Sequence, residues 1–382
     1  MKIGFFVDVF YPMVDGVVNV VHQYARILSN DHEVYVFAPK SSDKKYLDDF
    51  PYHVIRVLKI QVPNTDYQLA IPPLDGKLNK ILKDIKLDIV HIHSPFSMGE
   101  LGVTYAKKYK VPLFATLHSQ YKQDFELRLK LKPITDLMLK DIMRRLNKCD
   151  YTFTVNQSIK KVYQSYGLKK ESYIIPNATE MTYLMGSDVK PKVIDTYRIN
   201  SQVFNMLFVG RIDKIKNINF IIKALAEMKK MTQVFHLYVV GSGVDLKYFE
   251  SKVRSLGLES FVTFTGAIYD RKMLAAMYET CDLFVFPSLY DTNSLVQLEA
   301  ASQQTPTIFI KDAATAHHIQ DGVNGFLEAN DHVAFAKRLY QLSEHRDIIF
   351  EVGARAHETI YHLWEDSVKI LLNYYNQVKD TL

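Results

Sequence analysis

The sequence predicts an α/β protein built from two doubly wound parallel sheets, one in each half of the chain. The prediction rests on short apolar runs, rich in β-branched and aromatic residues, that alternate with helix-length segments and do so twice. A chain of 382 residues with 48% hydrophobic content is also long enough to bury two cores. No apolar run approaches the roughly 18–20 residues that are needed to span a bilayer.

The first half contains strands that are apolar throughout, as expected for a parallel sheet covered on both faces. A loop over residues 11–16 follows the first of them and leads into a helical stretch that continues to Leu28. The predicted strands are IGFFVDVF (3–10), EVYVFAP (33–39), IVHIHS (89–94), PLFATLHS (112–119) and YTFTVN (151–156).

The second half repeats this pattern with strands FNMLFVG (204–210), FHLYVVGSG (235–243), FVTFTG (261–266), DLFVFPS (282–288) and TPTIFI (305–310). We place a linker at about residues 177–203, which lack a clear apolar period, and assign residues 1–185 and 186–364 to two domains. The last stretch, about 365–382, carries apolar residues at helical spacing and no strand follows it. Ligands of open parallel sheets bind beyond the carboxyl ends of the strands, so the loops there are expected to hold the functional residues.

The net charge of +5 comes from an excess of Lys and Arg in the N-terminal half. Such a surface is either simply solvated or attracts an anionic acceptor or membrane face, where each Lys or Arg contributes on the order of 1 kcal/mol. Nucleic acid is not favoured as a partner, because no basic stripe with interleaved aromatic residues occurs. The two cysteines, Cys149 and Cys281, suggest neither a disulfide framework nor a metal site and favour a reducing cytoplasm.

The most specific local pattern is PSLYDTNSLVQLEA, residues 287–300, where a strand, a loop and a helix are expected in turn. Asp291 lies in the loop and Glu299 on the helix, and both carboxylates could accept hydrogen bonds from sugar hydroxyls. The alternative is that Asp291 caps the helix and Glu299 is a surface acid. The helix N-terminus suits a diphosphate, and its amides are predicted to be those of Asn293, Ser294, Leu295 and Val296.

A pair of cations follows the strand that ends at Gly210, in the segment LFVGRIDKIKN. Arg211 offers a planar fork and Lys216 a point charge, and together they could neutralise a diphosphate leaving group. The alternative is a pair of solvated surface cations.

The segment VVGSG, residues 239–243, ends another strand in Gly-x-Gly, so that Gly241 could let the backbone approach a phosphate. The third glycine of a dinucleotide-binding fingerprint is missing, which disfavours a nicotinamide dehydrogenase. No Asp-x-Asp occurs in the chain, so the usual divalent-metal clamp on a diphosphate is not predicted. Arg211 and Lys216 would serve as a metal-free substitute, and no cofactor or metal is expected.

Two residues of the N-terminal half are expected near strand ends or helix starts, like the candidate residues of the second half. Gly16 precedes the first helical stretch, where its amide could approach a phosphate, although a plain turn glycine fits as well. His118 directly follows a strand, which places its ring at the functional edge of the sheet, although a structural histidine is the alternative.

Residues 122–148 mix Lys and Arg with apolar side chains. Pro133 suits the first turn of a helix, and an apolar stripe follows it, composed of Ile134, Leu137, Met138, Ile142 and Leu146. A basic amphipathic helix of this kind either lies on a membrane surface or packs on its own domain.

Taken jointly, these segments resemble the retaining GT-B glycosyltransferases of the large group-one family over nearly the whole chain. Within that family, the opening segment, HIHSPFSMGELG and LHSQY look most like bacterial diacylglycerol glucosyltransferases. The matching segments are YPMVDGVVNVVHQYARIL, DIVHIHSPFSMGELG, His118 after its strand, YIIPNATE, VGRIDKIKN, VVGSGVD, FTGAIYDRKM, DLFVFPSLYDTNSLVQLEA and DGVNGFL.

The resemblance implies a donor site for a UDP-sugar. Arg211 and Lys216 would hold the diphosphate, and Gly16 would approach its β-phosphate. Glu299 would bind the ribose hydroxyls, and Ile268 would meet the uracil through its backbone.

The resemblance also implies a reaction and an architecture. His118 and Asp291 would contact the transferred sugar, and transfer would proceed with retention and without a metal, with departure and attack on the same face. Two Rossmann-like domains would face each other across a cleft, with the C-terminal helix crossing back to the first domain.

The chain departs from the family pattern at three places. Asp291 stands where Glu is usual, Asn293-Ser294 replaces Phe-Gly, and Gln304-Thr305-Pro306 replaces Gly-x-Pro. The expected function is transfer of a hexose, glucose or a near relative of it, from a UDP-sugar to a lipid or lipid-linked acceptor by a cytoplasmic protein, peripheral on the inner membrane face. The alternatives are a transferase for capsule, exopolysaccharide or another soluble acceptor, and a non-catalytic partner subunit.

Overall fold

A computed structural model of the chain describes residues 1–13, 15–43, 45–61, 68–129, 131–184, 188–289, 291 and 294–379. It divides into two compact units. Unit 1 comprises Met1–Asn177 and Trp364–Leu382, and unit 2 comprises Ala178–Leu363. The first division therefore falls after residue 177, where the sequence analysis expected it after residue 185.

Unit 1 is a parallel sheet flanked by helices. In chain order its elements are β1 (Lys2–Phe6), α1 (Gly16–Leu28), β2 (Glu33–Pro39), β3 (His53–Val57), β4 (Lys59–Gln61), β5 (Gln68–Ala70), α2 (Gly76–Ile85), β6 (Ile89–Ile92), α3 (Ser97–Tyr109), β7 (Leu113–Leu117), α4 (Tyr121–Leu129), α5 (Lys132–Leu146), β8 (Tyr151–Thr154), α6 (Gln157–Tyr166) and β9 (Ser172–Ile174).

The sheet of unit 1 runs in the order β3-β2-β1-β6-β7-β8-β9, with β4 and β5 pairing separately as an antiparallel ribbon. The strand order reverses between β1 and β6, which makes that junction the topological switch point. β1 ends at Phe6, so the second part of the predicted strand 3–10 is loop. This loop places Asp8 beyond the carboxyl edge of the sheet.

Unit 2 repeats the architecture. Its elements are α7 (Val189–Tyr197), β10 (Phe204–Val209), α8 (Ile218–Met228), β11 (Phe235–Val240), α9 (Leu246–Ser255), β12 (Val262–Gly266), α10 (Arg271–Thr280), β13 (Leu283–Phe286), α11 (Leu295–Ser302), β14 (Thr307–Ile310), β15 (Phe326–Glu328), α12 (His332–Glu344) and α13 (Arg346–Thr359). The strand order β12-β11-β10-β13-β14-β15 reverses between β10 and β13.

The segment 177–203, expected to be a linker, is for the most part an integral piece of unit 2. It contains α7, which packs against α10, and Val193 on α7 is fully buried. Lys190 on α7 also pairs with Glu279 on α10 at 3.3 Å. Short helices with few apolar residues give a weak periodic signal, which is why the sequence pattern concealed this one. Residues 185–187 lie outside the described residues.

The chain returns to unit 1 in α14 (Trp364–Lys379), as the resemblance predicted. Trp364 and Tyr375 are fully buried. The Trp364 ring meets Tyr24 of α1 edge-on at 5.9 Å, and the Tyr375 ring meets Phe114 of β7 at 4.8 Å. The helix therefore completes the core of a unit that the first 177 residues leave unfinished.

Candidate functional site

Three strand-end loops of unit 2 are joined by backbone hydrogen bonds. The amide of Gly210 after β10 donates to Val240 at 3.0 Å, and the amide of Ile212 donates to Ser242 at 2.9 Å. The amide of Gly241 donates to Gly266 at the end of β12, also at 3.0 Å. The loops after β10, β11 and β12 thus form one rigid platform at the carboxyl edge of the sheet.

The glycines of VVGSG are required by this platform. Gly241 has φ +148, and a Cβ on it would lie 1.9 Å from the carbonyl oxygen of Gly210. A Cβ on Gly243 would lie 2.1 Å from the carbonyl oxygen of Ile212. No side chain fits at such distances, so the Gly-x-Gly pattern has a structural cause within unit 2 whether or not Gly241 also meets a phosphate.

The two predicted cations are both paired with carboxylates. The Nζ atom of Lys216 lies 2.6 Å from Oδ1 of Asp291, although 75 residues separate them in sequence. The guanidinium of Arg211 pairs with Asp213, and the Arg211 side chain remains 62% exposed. Asp213 also accepts a hydrogen bond from the Lys216 amide at 3.1 Å, which fixes the turn that carries the lysine. Lys216, only 20% exposed, is therefore not a solvated surface cation.

Asp291 lies between β13 and α11, beside the switch point of the unit 2 sheet. Its Oδ1 accepts from Lys216, whereas its Oδ2 is buried and has no hydrogen-bond partner within the described part of the chain. A buried carboxylate oxygen without a donor is costly, so this atom is well suited to accept a hydrogen bond from a ligand hydroxyl.

The helix after Asp291 begins where the sequence predicted. α11 starts at Leu295, and Ser294 precedes it in an extended conformation without a capping bond from its side chain. The first-turn amides of Leu295 and Val296 lie at the positive end of a helix, which favours an anion. Asn293, also predicted to contribute an amide, lies outside the described residues.

Glu299 is not a surface acid. Only 5% of it is exposed. One of its carboxylate oxygens accepts from Nη2 of Arg271 at 2.6 Å, and the other accepts from the hydroxyl of Tyr278 at 3.1 Å. Arg271 in turn pairs with Glu180 at 2.6 Å.

Sequence reasoning missed the contacts of Arg271, which together with Glu299, Tyr278 and Glu180 forms one cluster that we call the Arg271 cluster. Arg271 is the first residue of α10 and lies three positions after Ile268, which packs against the core of unit 2. Burial alone would lower the pKa of Arg271, but Glu299 and Glu180 outweigh it and hold this pKa above its ordinary value. Burial, reinforced by Glu299, raises the pKa of Tyr278. No spacing rule links these residues, because their meeting depends on how three elements pack.

Gly16 and His118 belong to unit 1. Gly16 is the first residue of α1, which Asp15 caps by accepting from the Val18 amide at 2.8 Å. A Cβ on Gly16 would meet no atom within 4 Å, so unit 1 itself does not require a glycine at this position.

His118 follows β7 and is buried in a stack of histidine rings. Its Nε2 lies 3.1 Å from Nδ1 of His93, whose ring stacks on that of His91 at 4.2 Å. His91 in turn contacts the hydroxyl of Tyr375 at 2.5 Å and that of Thr116 at 2.8 Å. Burial lowers the pKa of His118 to about 4, so the ring is neutral at pH 7 and acts through hydrogen bonds rather than charge.

Asp8 is a further group at this edge that the sequence analysis did not single out. Its Oδ1 accepts from the Ser97 hydroxyl at 2.8 Å and from the Met98 amide at 3.0 Å, and so caps α3. Burial outweighs these hydrogen bonds and raises the pKa of Asp8 to about 6.

The basic helix α5 begins with Pro133 in its first turn, as predicted. Two residues of its predicted apolar stripe, however, are exposed rather than packed. Ile134 and Leu137 are 43% and 68% exposed. The face packed on unit 1 consists of Thr135, Leu139, Ile142, Met143 and Leu146. The predicted stripe was wrong at Ile134 and Leu137, because at about 100° per residue these two positions lie roughly 80° and 140° around the helix from Ile142, on the side away from the buried residues.

Comparisons with known proteins are consistent with this geometry. The family model described as "Glycosyl transferases group 1" matches residues 189–358, and that described as "Glycosyltransferase Family 4" matches residues 14–182. The first match lies within unit 2, and the second covers most of unit 1 and continues a few residues into unit 2.

Among similar proteins are two alpha-monoglucosyldiacylglycerol synthases. The chain is 27% identical to that of Streptococcus pneumoniae over 339 residues, which cover 87% of this chain and 76% of that protein. It is 27% identical to that of Acholeplasma laidlawii over 371 residues, which cover 93% of this chain and 92% of that protein.

Solved structures share the fold at lower identity. Anabaena HepE in complex with UDP and glucose superposes with a TM-score of 0.78 at 17% identity, covering 98% of this chain and 99% of that one. Sucrose-phosphate synthase of Thermosynechococcus elongatus gives a TM-score of 0.80 at 18% identity, with both chains covered completely.

Proposed function

The chain is a group 1 glycosyltransferase with the GT-B fold, and from that premise we propose that it transfers glucose from a UDP-sugar to a diacylglycerol-type lipid acceptor. The observation that carries the proposal is the arrangement in unit 2 of Lys216, Asp291 and the amino end of α11 around one switch point. The names of the relatives support the glucosyl donor and the lipid acceptor.

The donor diphosphate is proposed to bind Lys216, Arg211 and the first amides of α11. Two negative phosphates offer more charge than the single carboxylate of Asp291, so Lys216 would exchange its ion pair for a phosphate. Asp291 would then accept a hydrogen bond from a sugar hydroxyl. The Arg211 side chain is 62% exposed and pairs with Asp213, so a phosphate oxygen from solvent could reach its guanidinium and compete with that carboxylate.

The reaction is proposed to retain configuration and to need no metal. The bond between the sugar C1 and the phosphate oxygen breaks while the acceptor hydroxyl attacks C1 from the same face, and the hydroxyl proton passes to the departing phosphate oxygen. The stabilisation of the departing diphosphate falls to Lys216 and Arg211, a contribution that is often the largest in such chemistry. His118 would donate or accept a hydrogen bond at the sugar as a neutral ring.

The lipid acceptor requires access to a membrane surface. No helix in the described ranges is long and apolar enough to cross a bilayer. The start of α5 offers an alternative, because Leu131, which precedes the helix, and Ile134 and Leu137 within it are 55%, 43% and 68% exposed. Lys132 and Lys140 lie on either side of Ile134 and Leu137 in sequence and are also exposed. An apolar ridge between lysines suits the interface of an anionic membrane.

The proposal is tested by release of UDP from a panel of nucleotide sugars, with and without EDTA, in the presence of phosphatidylglycerol vesicles containing dioleoylglycerol. We expect release from UDP-glucose that dioleoylglycerol stimulates and EDTA leaves unchanged. Stimulation by a soluble saccharide instead would replace the lipid acceptor. Release from no donor would leave a partner subunit without catalytic activity as the function.

A further inference from the structure

Arg271 is held between two carboxylates in unit 2. Its Nη2 lies 2.6 Å from Oε1 of Glu299 and 2.6 Å from Oε1 of Glu180. Glu299 comes from α11, Arg271 from the start of α10, and Glu180 from the segment that precedes α7. One guanidinium therefore ties together three elements that are distant in sequence.

Glu299 depends on this contact for its orientation. Its side chain is only 6% exposed, and a buried carboxylate needs hydrogen-bond donors and a countercharge. Tyr278 supplies a neutral donor to one oxygen, whereas Arg271 supplies a charged donor to the other. With a donor on each oxygen, rotation of the carboxylate about its terminal bond breaks at least one hydrogen bond. Each oxygen keeps a lone pair for a further donor.

The position of Arg271 links two parts of the proposed donor site. It begins α10 immediately after the loop that contains Ile268, where the nucleobase is expected. The same side chain then reaches Glu299, where the ribose is expected. A shift of the loop would therefore move Nη2 of Arg271, the nitrogen that both carboxylates contact.

We propose that Arg271 is a positioning residue for the donor nucleoside, acting by holding Glu299 so that its carboxylate accepts the ribose hydroxyls. The inference rests on the proposed function, because the proposed UDP-sugar donor supplies the ribose, which the resemblance assigns to Glu299. Arg271 itself need not touch the donor. Its effect should appear as lost discrimination for the ribose hydroxyls rather than as a loss of phosphate binding.

The test compares calorimetric binding of UDP and 2′-deoxy-UDP to the full chain. A hydrogen bond from a sugar hydroxyl to a carboxylate gives about a tenfold preference or more for UDP. We expect Arg271→Gln to reduce this preference to about threefold or less. Lys272→Ala is the matched control, because it removes the next, exposed cation on the same helix turn and should preserve the full preference.

A double-mutant cycle separates positioning from general damage. In the Glu299→Gln background, the further change Arg271→Gln should leave the ratio of the two affinities unchanged, since residues acting through one group are not additive. If Arg271→Gln does not fold, Arg271→Lys keeps the charge without the fork. For Arg271→Lys we then expect a preference for UDP over 2′-deoxy-UDP that is smaller than that of the wild type and larger than that of Glu299→Gln.

The outcomes distinguish this inference from the proposed function. A wild-type chain that binds UDP and 2′-deoxy-UDP equally would remove the ribose from Glu299, and the inference would fall with that assignment. A wild-type chain that discriminates, together with an Arg271→Gln or Arg271→Lys variant that discriminates equally well, would overturn the inference and leave the proposed function standing.

Discussion

At the scale of single residues, the carboxylates and cations of unit 2 are arranged as pairs whose partners a ligand can replace. Lys216 and Asp291 contact each other at 2.6 Å, yet their proposed ligands are a phosphate and a sugar hydroxyl. The pair keeps two partly buried charges compensated and in place, so that under the proposed function donor binding would exchange partners instead of ordering mobile side chains.

Lys216→Ala should lower kcat/KM for the UDP-sugar by about 100- to 1000-fold, as expected when one stabiliser of a developing charge is removed. The loss also leaves Asp291 without its cation. Lys214→Ala is the control, because Lys214 is 68% exposed, pairs with Asp245 at 3.8 Å and should be dispensable. Steady-state UDP release measures both variants, and equal activity of wild type and Lys216→Ala would contradict the assignment.

Asp8 should make the stability of unit 1 depend on pH. Its pKa rises from 3.8 to about 6 on folding, so the folded state binds the proton more tightly. Stability from this group is complete below about pH 4 and is lost as the pH rises through 6, by up to about 3 kcal/mol. Asp8→Asn cannot titrate and keeps the oxygen that caps α3. Urea unfolding at pH 4.5 and 7.5 should show the wild type losing stability relative to this variant, and parallel pH profiles would contradict it.

At the scale of elements, the loops after β10, β11 and β12 behave as one structure. Their backbone contacts leave no volume between Gly210 and Gly241. Arg211 lies in the β10 loop and Lys216 follows it, so the placement of these proposed donor ligands depends on glycines that need not meet the donor.

Gly241→Ala should therefore destabilise unit 2 by roughly 2–5 kcal/mol, because the new Cβ overlaps a backbone oxygen at a positive φ. Gly16→Ala is the informative contrast. It has open space around it and should leave the melting temperature unchanged while lowering turnover, if the donor approaches this residue. Thermal melting measures the stability of both variants, and UDP release measures their activity. A Gly241→Ala variant with the melting temperature of the wild type would contradict the steric requirement for glycine at this position.

The exposed ridge of α5 should govern membrane association. Leu137→Glu places a charge at its most exposed apolar position and should reduce flotation with phosphatidylglycerol vesicles by about tenfold or more. Phe350→Glu is the control, since Phe350 is 71% exposed on α13 of unit 2. Equal flotation of wild type and Leu137→Glu would locate the contact elsewhere.

At the scale of the whole molecule, the order of strands and helices could be predicted from the sequence more completely than the side-chain contacts between them. The alternation of β1, α1 and β2 and its repeat from β10 onward follow from local periodicity, which needs no knowledge of tertiary packing. The edge strands β3 and β9 were missed, because they are short and partly exposed. Lys216, Asp291 and Glu299 could be placed at a sheet edge, since strand ends converge by topology. The contacts of Arg271 with Glu299 and Glu180 could not be predicted, because side chains that meet from distant segments produce no periodic pattern in the sequence.

The discontinuous composition of unit 1 gives a whole-molecule prediction. Deletion of residues 364–382 removes Trp364 and Tyr375 and exposes the surfaces of α1 and β7 that they cover. Losing two fully buried aromatic residues costs about 6–10 kcal/mol, which is comparable with the whole stability of a typical domain, so unit 1 should unfold or aggregate. Residues 178–363 expressed alone should remain folded, because unit 2 is continuous. Proteolysis and circular dichroism check both, and a native-like truncated unit 1 would contradict the role of α14.

The return of α14 to unit 1 also determines the order in which the protein matures during translation. The segment that completes unit 1 leaves the ribosome only after all of unit 2 has been synthesised. Throughout that interval the nascent chain carries an open apolar groove between α1 and β7, where a chaperone can bind. Unit 2 can reach its native state first, and a premature stop codon near the 3′ end of the message would therefore damage the unit that was translated earliest.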